Sequence, residues 1–221
     1  MRTVIFDLDG TLADTSGDLL SAANACFRDL GLGDLLTLER DAGVALKGGR
    51  AMLRRGFERS GSHGEDEVDR QYARLLDHYD QAIDTHTILY PGAMEAVLHL
   101  KSQGYAVAIC TNKPEALAVK LLTRMGILDE FAAMLGADTL LVRKPDPEHL
   151  RETARRAGGN PDRMVLIGDT ETDHSTARNA GCPSILVSFG PGGGDDVVAL
   201  APDALIGHFD ELPAAVTRLI G

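Results

Sequence analysis

Six residues near the N-terminus, Phe6-Asp7-Leu8-Asp9-Gly10-Thr11, restrict this chain more than any other stretch. With Arg2-Thr3-Val4-Ile5 before them, a short β-branched, apolar run ends in two aspartates and a Gly-Thr turn. Such a run is expected of a strand buried on both faces, as in a parallel sheet covered by helices. Positions i and i+2 of a strand share a face, but Asp9 falls where the strand gives way to the Gly10 turn. Both carboxylates can therefore converge just beyond the carboxyl end of the strand, where open α/β sheets bind ligands. Two anions held that close require a cation or a shared proton. Aspartate before glycine is also ordinary turn chemistry, so the pair gains meaning from what the other strand ends carry.

Downstream, strand-like and helix-like segments alternate, with one long exception. From Thr15 to about Thr85 no strand pattern occurs. Leu19, Leu20, Ala23, Phe27 and Leu30 follow at helical spacing and are closed by Gly31. Thr37 can cap a short second helix, a Lys47-Gly48-Gly49 break follows, and a basic helix runs from about Arg50 to Arg59. After a polar stretch, Val68, Tyr72, Leu75, Leu76, Tyr79 and Ile83 form one stripe of a longer helix. The α/β rhythm resumes at Pro91. Strands are predicted at Ala106–Cys110, Ala133–Gly136, Met164–Ile167, Ser184–Ser188 and Ala204–Ile206. Helices are predicted at Ala93–Gln103, from a first turn at Pro114 to Met125, at His149–Ala157, at Thr172–Ala180 and at the C-terminus. The class is α/β: a doubly wound, mainly parallel sheet, a Rossmann-like core made of residues 1–14 and 87–221, with an all-helical cap, 15–86, inserted after its first strand. Gly190-Pro191-Gly192-Gly193-Gly194 reads as a loop that fits no nucleotide-binding fingerprint.

Charge excludes some partners. Against 33 acidic residues stand 22 Lys and Arg, a net charge of −11, which argues against a nucleic-acid or acidic membrane surface. Cys26, Cys110 and Cys182 are odd in number and widely spaced, as expected of core residues in a reducing compartment. No apolar run approaches membrane-spanning length and Asp7 interrupts the N-terminal one, so neither anchor nor signal peptide is expected, and a cytoplasmic location is.

The other strand ends supply the missing context. The second ends in Thr111-Asn112-Lys113, a hydroxyl, an amide and backbone donors ahead of a helix N-terminus, suited to phosphate oxygens. The loop after the third carries Lys144 between Arg143 and Pro145, and the fourth ends in Gly168-Asp169 with Asp173 four residues on. Taken singly, Lys144 reads as a solvated loop lysine, Asp169 as a turn residue and Thr111 as a core hydroxyl. Together at successive strand ends they describe one site, whose oxygen-only ligands suit a hard cation, most simply Mg²⁺.

This set resembles the haloacid dehalogenase superfamily, and within it the phosphoglycolate phosphatase group. Asp7-Leu8-Asp9-Gly10-Thr11, Cys110-Thr111-Asn112-Lys113-Pro114, Arg143-Lys144-Pro145-Asp146-Pro147 and Gly168-Asp169-Thr170-Glu171-Thr172-Asp173 are similar to its four motifs, and the likeness extends over essentially the whole chain. Thr170 stands where serine is common, and His174-Ser175 follows the last aspartate. The resemblance implies a Mg²⁺-dependent phosphatase acting on a small phosphorylated substrate, 2-phosphoglycolate foremost. Asp7 is then the nucleophile, and Asp9 protonates the leaving group and activates water. Asp7, the Asp9 carbonyl and Asp169 hold the metal with Asp173 in support, and Thr111, the Asn112 backbone and Lys144 bind the phosphoryl group. In the cap, Lys47-Gly48-Gly49-Arg50 resembles the loop that faces the active site in this group, which makes Lys47 or Arg50 the expected partner of a substrate carboxylate.

Asp9 argues against the dehalogenase and phosphonate-cleaving relatives, which lack an aspartate there. A phosphatase or phosphomutase for another small sugar or organic phosphate stays open, as does, more remotely, a non-catalytic phosphate-binding module.

Overall fold

All four residues of β1 (Thr3–Phe6) are buried, as its uninterrupted apolar composition predicts for a strand covered on both faces. The computed structural model describes residues 1–191 and 195–221; Gly192-Gly193-Gly194 of the expected glycine loop lie outside the described residues. After β1 come β2 (Ala13–Asp14), the helices α1 (Ser16–Asp29), α2 (Leu38–Ala45), α3 (Gly49–Ser60) and α4 (Glu65–Gln81), and β3 (Ile88–Leu89). Then follow α5 (Ala93–Ser102), β4 (Ala106–Cys110), α6 (Glu115–Arg124), β5 (Ala133–Leu135) and α7 (Pro147–Arg156). The chain ends with β6 (Met164–Gly168), α8 (Glu171–Ala180), β7 (Ser184–Val187), α9 (Asp195–Ala199), β8 (Ala204–Ile206) and α10 (Leu212–Ile220).

Six strands form one sheet in the order β5-β4-β1-β6-β7-β8, and every neighbouring pair is parallel. The mainly parallel, helix-covered sheet is the architecture the alternation predicts. The chain builds outward from β1 through β4 to β5, then returns to lay β6, β7 and β8 on the other side. This reversal makes the carboxyl end of β1 a topological switch point, where such sheets open a crevice. Phe6 is in register with Ile109 on β4 and Ile167 on β6. One step on, Asp7 is level with Cys110 and Gly168, and the next step brings Thr111 and Asp169 to the same rim.

One face of the sheet packs Ile5, Ala106, Ala108, Cys110, Met164 and Leu166 against Leu150 and Ala154 of α7, its C-cap Ala157, and Ala177 and Ala180 of α8. α7 begins two residues before the predicted His149 because Asp146 caps it, accepting from the Glu148 amide at 2.9 Å, and Pro147 opens its first turn. Pro114 is the N-cap of α6, one position outside the first turn where the sequence places it.

The chain divides into two compact units, Met1–Ala13 with Leu89–Gly221, and Asp14–Ile88. The second is helical. Its closing segment is tied to α1 by the buried Asp18 carboxylate, which accepts from the His86 and Thr87 amides at 2.9 Å. Asn24 clasps the link to α2 by accepting from the Leu35 and Leu36 amides. Thr37 is the N-cap of α2 without a side-chain bond; the Thr37 amide instead donates to Asp41, whose carboxylate also receives Arg59 of α3 through two bonds of 2.7 Å. The chain passes between the units along β2 and β3, which pair as a two-stranded ribbon. Two residues are too few for a strand period to register in sequence, and no strand is predicted there.

Candidate active site

Asp7 extends β1 by one residue, its amide donating to the Ile167 carbonyl of β6 at 2.8 Å. Asp7 Oδ1 accepts from the Leu8 amide at 2.7 Å, and Oδ2 lies 3.0 Å from Lys144 Nζ. The same ammonium donates to Asp173 Oδ1 at 2.7 Å. Lys144 is thus not the solvated loop lysine it resembles in isolation: at 3% exposure it is buried between two carboxylates. Burial alone would lower its pKa, but Asp173 and Asp7 outweigh that and raise it, so it is a fixed cation.

Asp173 sits in the first turn of α8 and forms a reciprocal capping box with Thr170. Its Oδ2 accepts from Thr170 Oγ1 at 2.5 Å, so both oxygens are committed. Gly168 permits this approach, since a Cβ at that position would lie 2.3 Å from Asp173 Cβ. Asp169 is held by Thr11, whose hydroxyl donates to Oδ1 at 2.8 Å across 158 residues of sequence. Asp169 Oδ2 is buried and has no hydrogen-bond partner among the described residues. One carboxylate oxygen each of Asp7, Asp169 and Asp173 lie within 4.8 Å of one another.

The electrostatics follow from this crowding. Burial pushes the Asp7 carboxyl up to about 6; Lys144 opposes the rise, and the charges of Asp173 and Asp9 add to it. Asp169 is raised well above the ordinary carboxylate range by burial and then by Asp173 and Asp7. Such a site is short of positive charge, and an orphaned, buried carboxylate oxygen beside two further carboxylates fits a hard divalent cation.

Thr111, just past β4, is buried, and its hydroxyl accepts from the Lys113 amide at 3.2 Å. The Asn112 side-chain amide, which the sequence offers to phosphate oxygens, donates instead to the Lys144 carbonyl at 3.0 Å and ties the two loops together. Asp9 is half-buried, and Lys113 Nζ lies 2.7 Å from its Oδ1. The Lys113 side chain, Thr11 and Thr170 escape the sequence reading. Their one signal is adjacency to motif residues, since Lys113 counts there only as a backbone donor. Lys47 and Arg50 belong to the helical unit. Lys47 is exposed in the turn between α2 and α3. The Arg50 guanidinium pairs with Asp69 and stacks over the Tyr72 ring at 4.4 Å. Cys26 and Cys110 are buried, Cys182 is half-buried, and all three are free thiols.

The sequence pattern of the family described as haloacid dehalogenase-like hydrolase matches residues 4–187, from β1 through β7. This chain belongs to that family. Among haloacid dehalogenase-like hydrolases it is similar to a phosphoglycolate phosphatase of Mesorhizobium japonicum, 41% identical over 222 residues that cover 98% of this chain and 96% of the relative. A phosphoglycolate phosphatase of Agrobacterium fabrum is 40% identical over 220 residues, 98% of this chain and 93% of that one. The crystal structure of a predicted phosphoglycolate phosphatase from Haemophilus somnus superposes with a TM-score of 0.86 at 26% identity, covering 97% of each chain. The chain is an enzyme of the haloacid dehalogenase-like hydrolases, similar to phosphoric monoester hydrolases of the phosphoglycolate phosphatase type. Among the described residues no helix is long and apolar enough to cross a membrane.

Proposed function

We propose that this protein is a Mg²⁺-dependent phosphatase that hydrolyses a small phosphomonoester, 2-phosphoglycolate foremost, through an aspartyl-phosphate on Asp7. The observation that carries this reading is the cluster of Asp7, Asp169 and Asp173, with the buried Lys144 between Asp7 and Asp173 and one Asp169 oxygen left unpartnered among the described residues.

Mg²⁺ would be held by Asp7, the Asp9 carbonyl and Asp169, with Asp173 behind them, and it supplies positive charge against the carboxylates and the phosphoryl oxygens. Asp7 Oδ attacks phosphorus, and the ester oxygen leaves. Lys144, the Thr111 hydroxyl and the Asn112 backbone N–H hold the phosphoryl group while its negative charge redistributes. Asp9 gives a proton to the leaving oxygen and later takes one from the water that cleaves the phosphoryl group from Asp7. Lys144 keeps Asp7 aimed because Asp173, fixed by the α8 capping box, anchors the other side of its ammonium. Residues 15–86 serve as the cap, and Lys47 or Arg50 within them is the proposed partner of the substrate carboxylate.

Phosphate release from a panel of small phosphorylated acids and sugars, with Mg²⁺ and after EDTA, tests the reading. Turnover of 2-phosphoglycolate that EDTA abolishes is expected, with phosphate retained on the protein after acid quench. Absence of phosphate release from every ester would sink it.

A further inference from the structure

The site contains a second buried ammonium that the reaction above gives no task. Lys113 Nζ lies 2.7 Å from Asp9 Oδ1, and only 3% of the lysine side chain is exposed. Both ends of this contact are anchored. The Lys113 amide donates to Thr111 Oγ1 at 3.2 Å, and its carbonyl accepts from the Ala137 amide at 2.9 Å, so the base of the side chain cannot drift. On the other side, the Gly10 amide donates to Ala13 at 2.8 Å, and Gly10 takes a φ of 79° that other residues resist. The ion pair therefore joins two rigid turns that lie 104 residues apart in sequence.

An aspartate that only bound charge would need no such partner, because Lys144 already serves the phosphoryl side of the site. Asp9, however, must present one oxygen to the leaving group within hydrogen-bond reach, and proton transfer is steeply sensitive to that geometry. We propose that Lys113 is a positioning residue, whose ammonium holds the Asp9 carboxyl group in the orientation from which it exchanges protons with the leaving and attacking oxygens. The proposal rests on the phosphatase reading. As the bond from phosphorus to the ester oxygen breaks, its electron pair stays on that oxygen and the Asp9 proton joins it. An alcohol departs and Asp9 becomes a carboxylate, which later takes one proton from the attacking water. Lys113 bears only on these transfers.

First-turnover release of the leaving group is compared for 2-phosphoglycolate, whose alkoxide needs a proton, and p-nitrophenyl phosphate, whose phenolate does not. Wild-type turnover of both is the control; if the wild type releases nothing from either ester, the phosphatase reading itself has failed. In Lys113→Met the rate on 2-phosphoglycolate should fall roughly ten- to a hundredfold while that on p-nitrophenyl phosphate changes by less than about threefold. In an Asp9→Asn background Lys113→Met should then cost nothing further, because the residue through which it acts is gone. Should Lys113→Met lose its fold by circular dichroism, Lys113→Gln, which keeps a donor but no charge, carries the same comparison. Equal losses on both esters, a full additional loss in the Asp9→Asn background, or no loss at all would each overturn the proposal.

Discussion

Replacing Lys144 by methionine removes one charge from between two buried carboxylates while keeping much of the side-chain volume. The ammonium touches Asp173 at 2.7 Å and Asp7 at 3.0 Å, and its side chain is 1% exposed, so solvent screens neither contact. At an effective dielectric of about 20, one such pair corresponds to about 5 kcal/mol of attraction. Desolvation of the three groups offsets much of that, so the net effect follows buried pairs broken on one side, about 3–5 kcal/mol of destabilisation. In a chain of this length that lowers Tm by about 6–20 °C. The sign of the pH dependence follows from Asp7. Its carboxyl already sits at about 6 with Lys144 present, above the ordinary 3.8, and rises further without it. The native state of the variant then binds more protons than the unfolded chain across that window, and its stability falls as pH rises. Calorimetry on EDTA-treated protein at about pH 5 and about pH 8 should show the larger deficit at the higher pH. A deficit below about 1 kcal/mol, or one larger at the lower pH, would refute the placement of Lys144 as the shared counter-charge.

Asp7→Asn should cut turnover at least about a thousandfold. It should unfold no earlier than wild type above pH 7, because it removes a carboxyl whose raised value of about 6 costs stability once it is ionised; an active variant would end the covalent reading. In the helical unit, Asp41 is held below the usual carboxylate range: burial raises it, but the bonds from Arg59 and the Thr37 amide prevail. That stability is present above its unfolded value and is lost as pH falls through the lower folded one. Asp41→Asn should therefore cost about 1–2 kcal/mol at neutral pH, after allowance for the partly exposed Arg59, and progressively less in acid, as urea titration will show. Arg50→Ala should raise KM for 2-phosphoglycolate while leaving p-nitrophenyl phosphate, which lacks a carboxylate, unchanged, and Lys47→Ala should do so if Lys47 is the partner. Steady-state kinetics that separate the two substrates in neither variant nor their double would remove both residues from substrate recognition.

The strands were legible because each combines an apolar run with a punctuating turn, and a parallel sheet puts all its carboxyl ends on one rim. That rule alone brings Asp7, Thr111 and Asp169 together without knowledge of strand order. It does not say that β1 lies between β4 and β6, which is the fact that sets Asp7 level with Cys110 and Gly168. Nor does it distinguish a lysine that reaches solvent from one that turns inward. Lys144 follows Arg143 in a polar loop, and the two are equivalent by composition, yet Lys144 is buried and Arg143 exposed.

What decides between them is the balance of buried charge, which no short window of sequence contains. Asp7 and Asp9 from one motif and Asp169 and Asp173 from another gather at one rim, and each ammonium within reach lowers the cost of that assembly. Lys144 answers Asp7 and Asp173, Lys113 answers Asp9, and Asp169 is left with the Thr11 hydroxyl on one oxygen and nothing on the other. With all four carboxyls ionised, two ammonium groups leave a deficit of two charges, the charge of one divalent cation. The hydroxyls complete the design rather than the charge. Thr11 and Thr170 each bind one oxygen of a carboxylate and so fix its orientation, a function for which nothing distinguishes them from other loop threonines in the sequence. The convergence of the motif residues is therefore legible in the sequence, while the residues that orient them emerge only once contacts spanning 104 and 158 positions are formed.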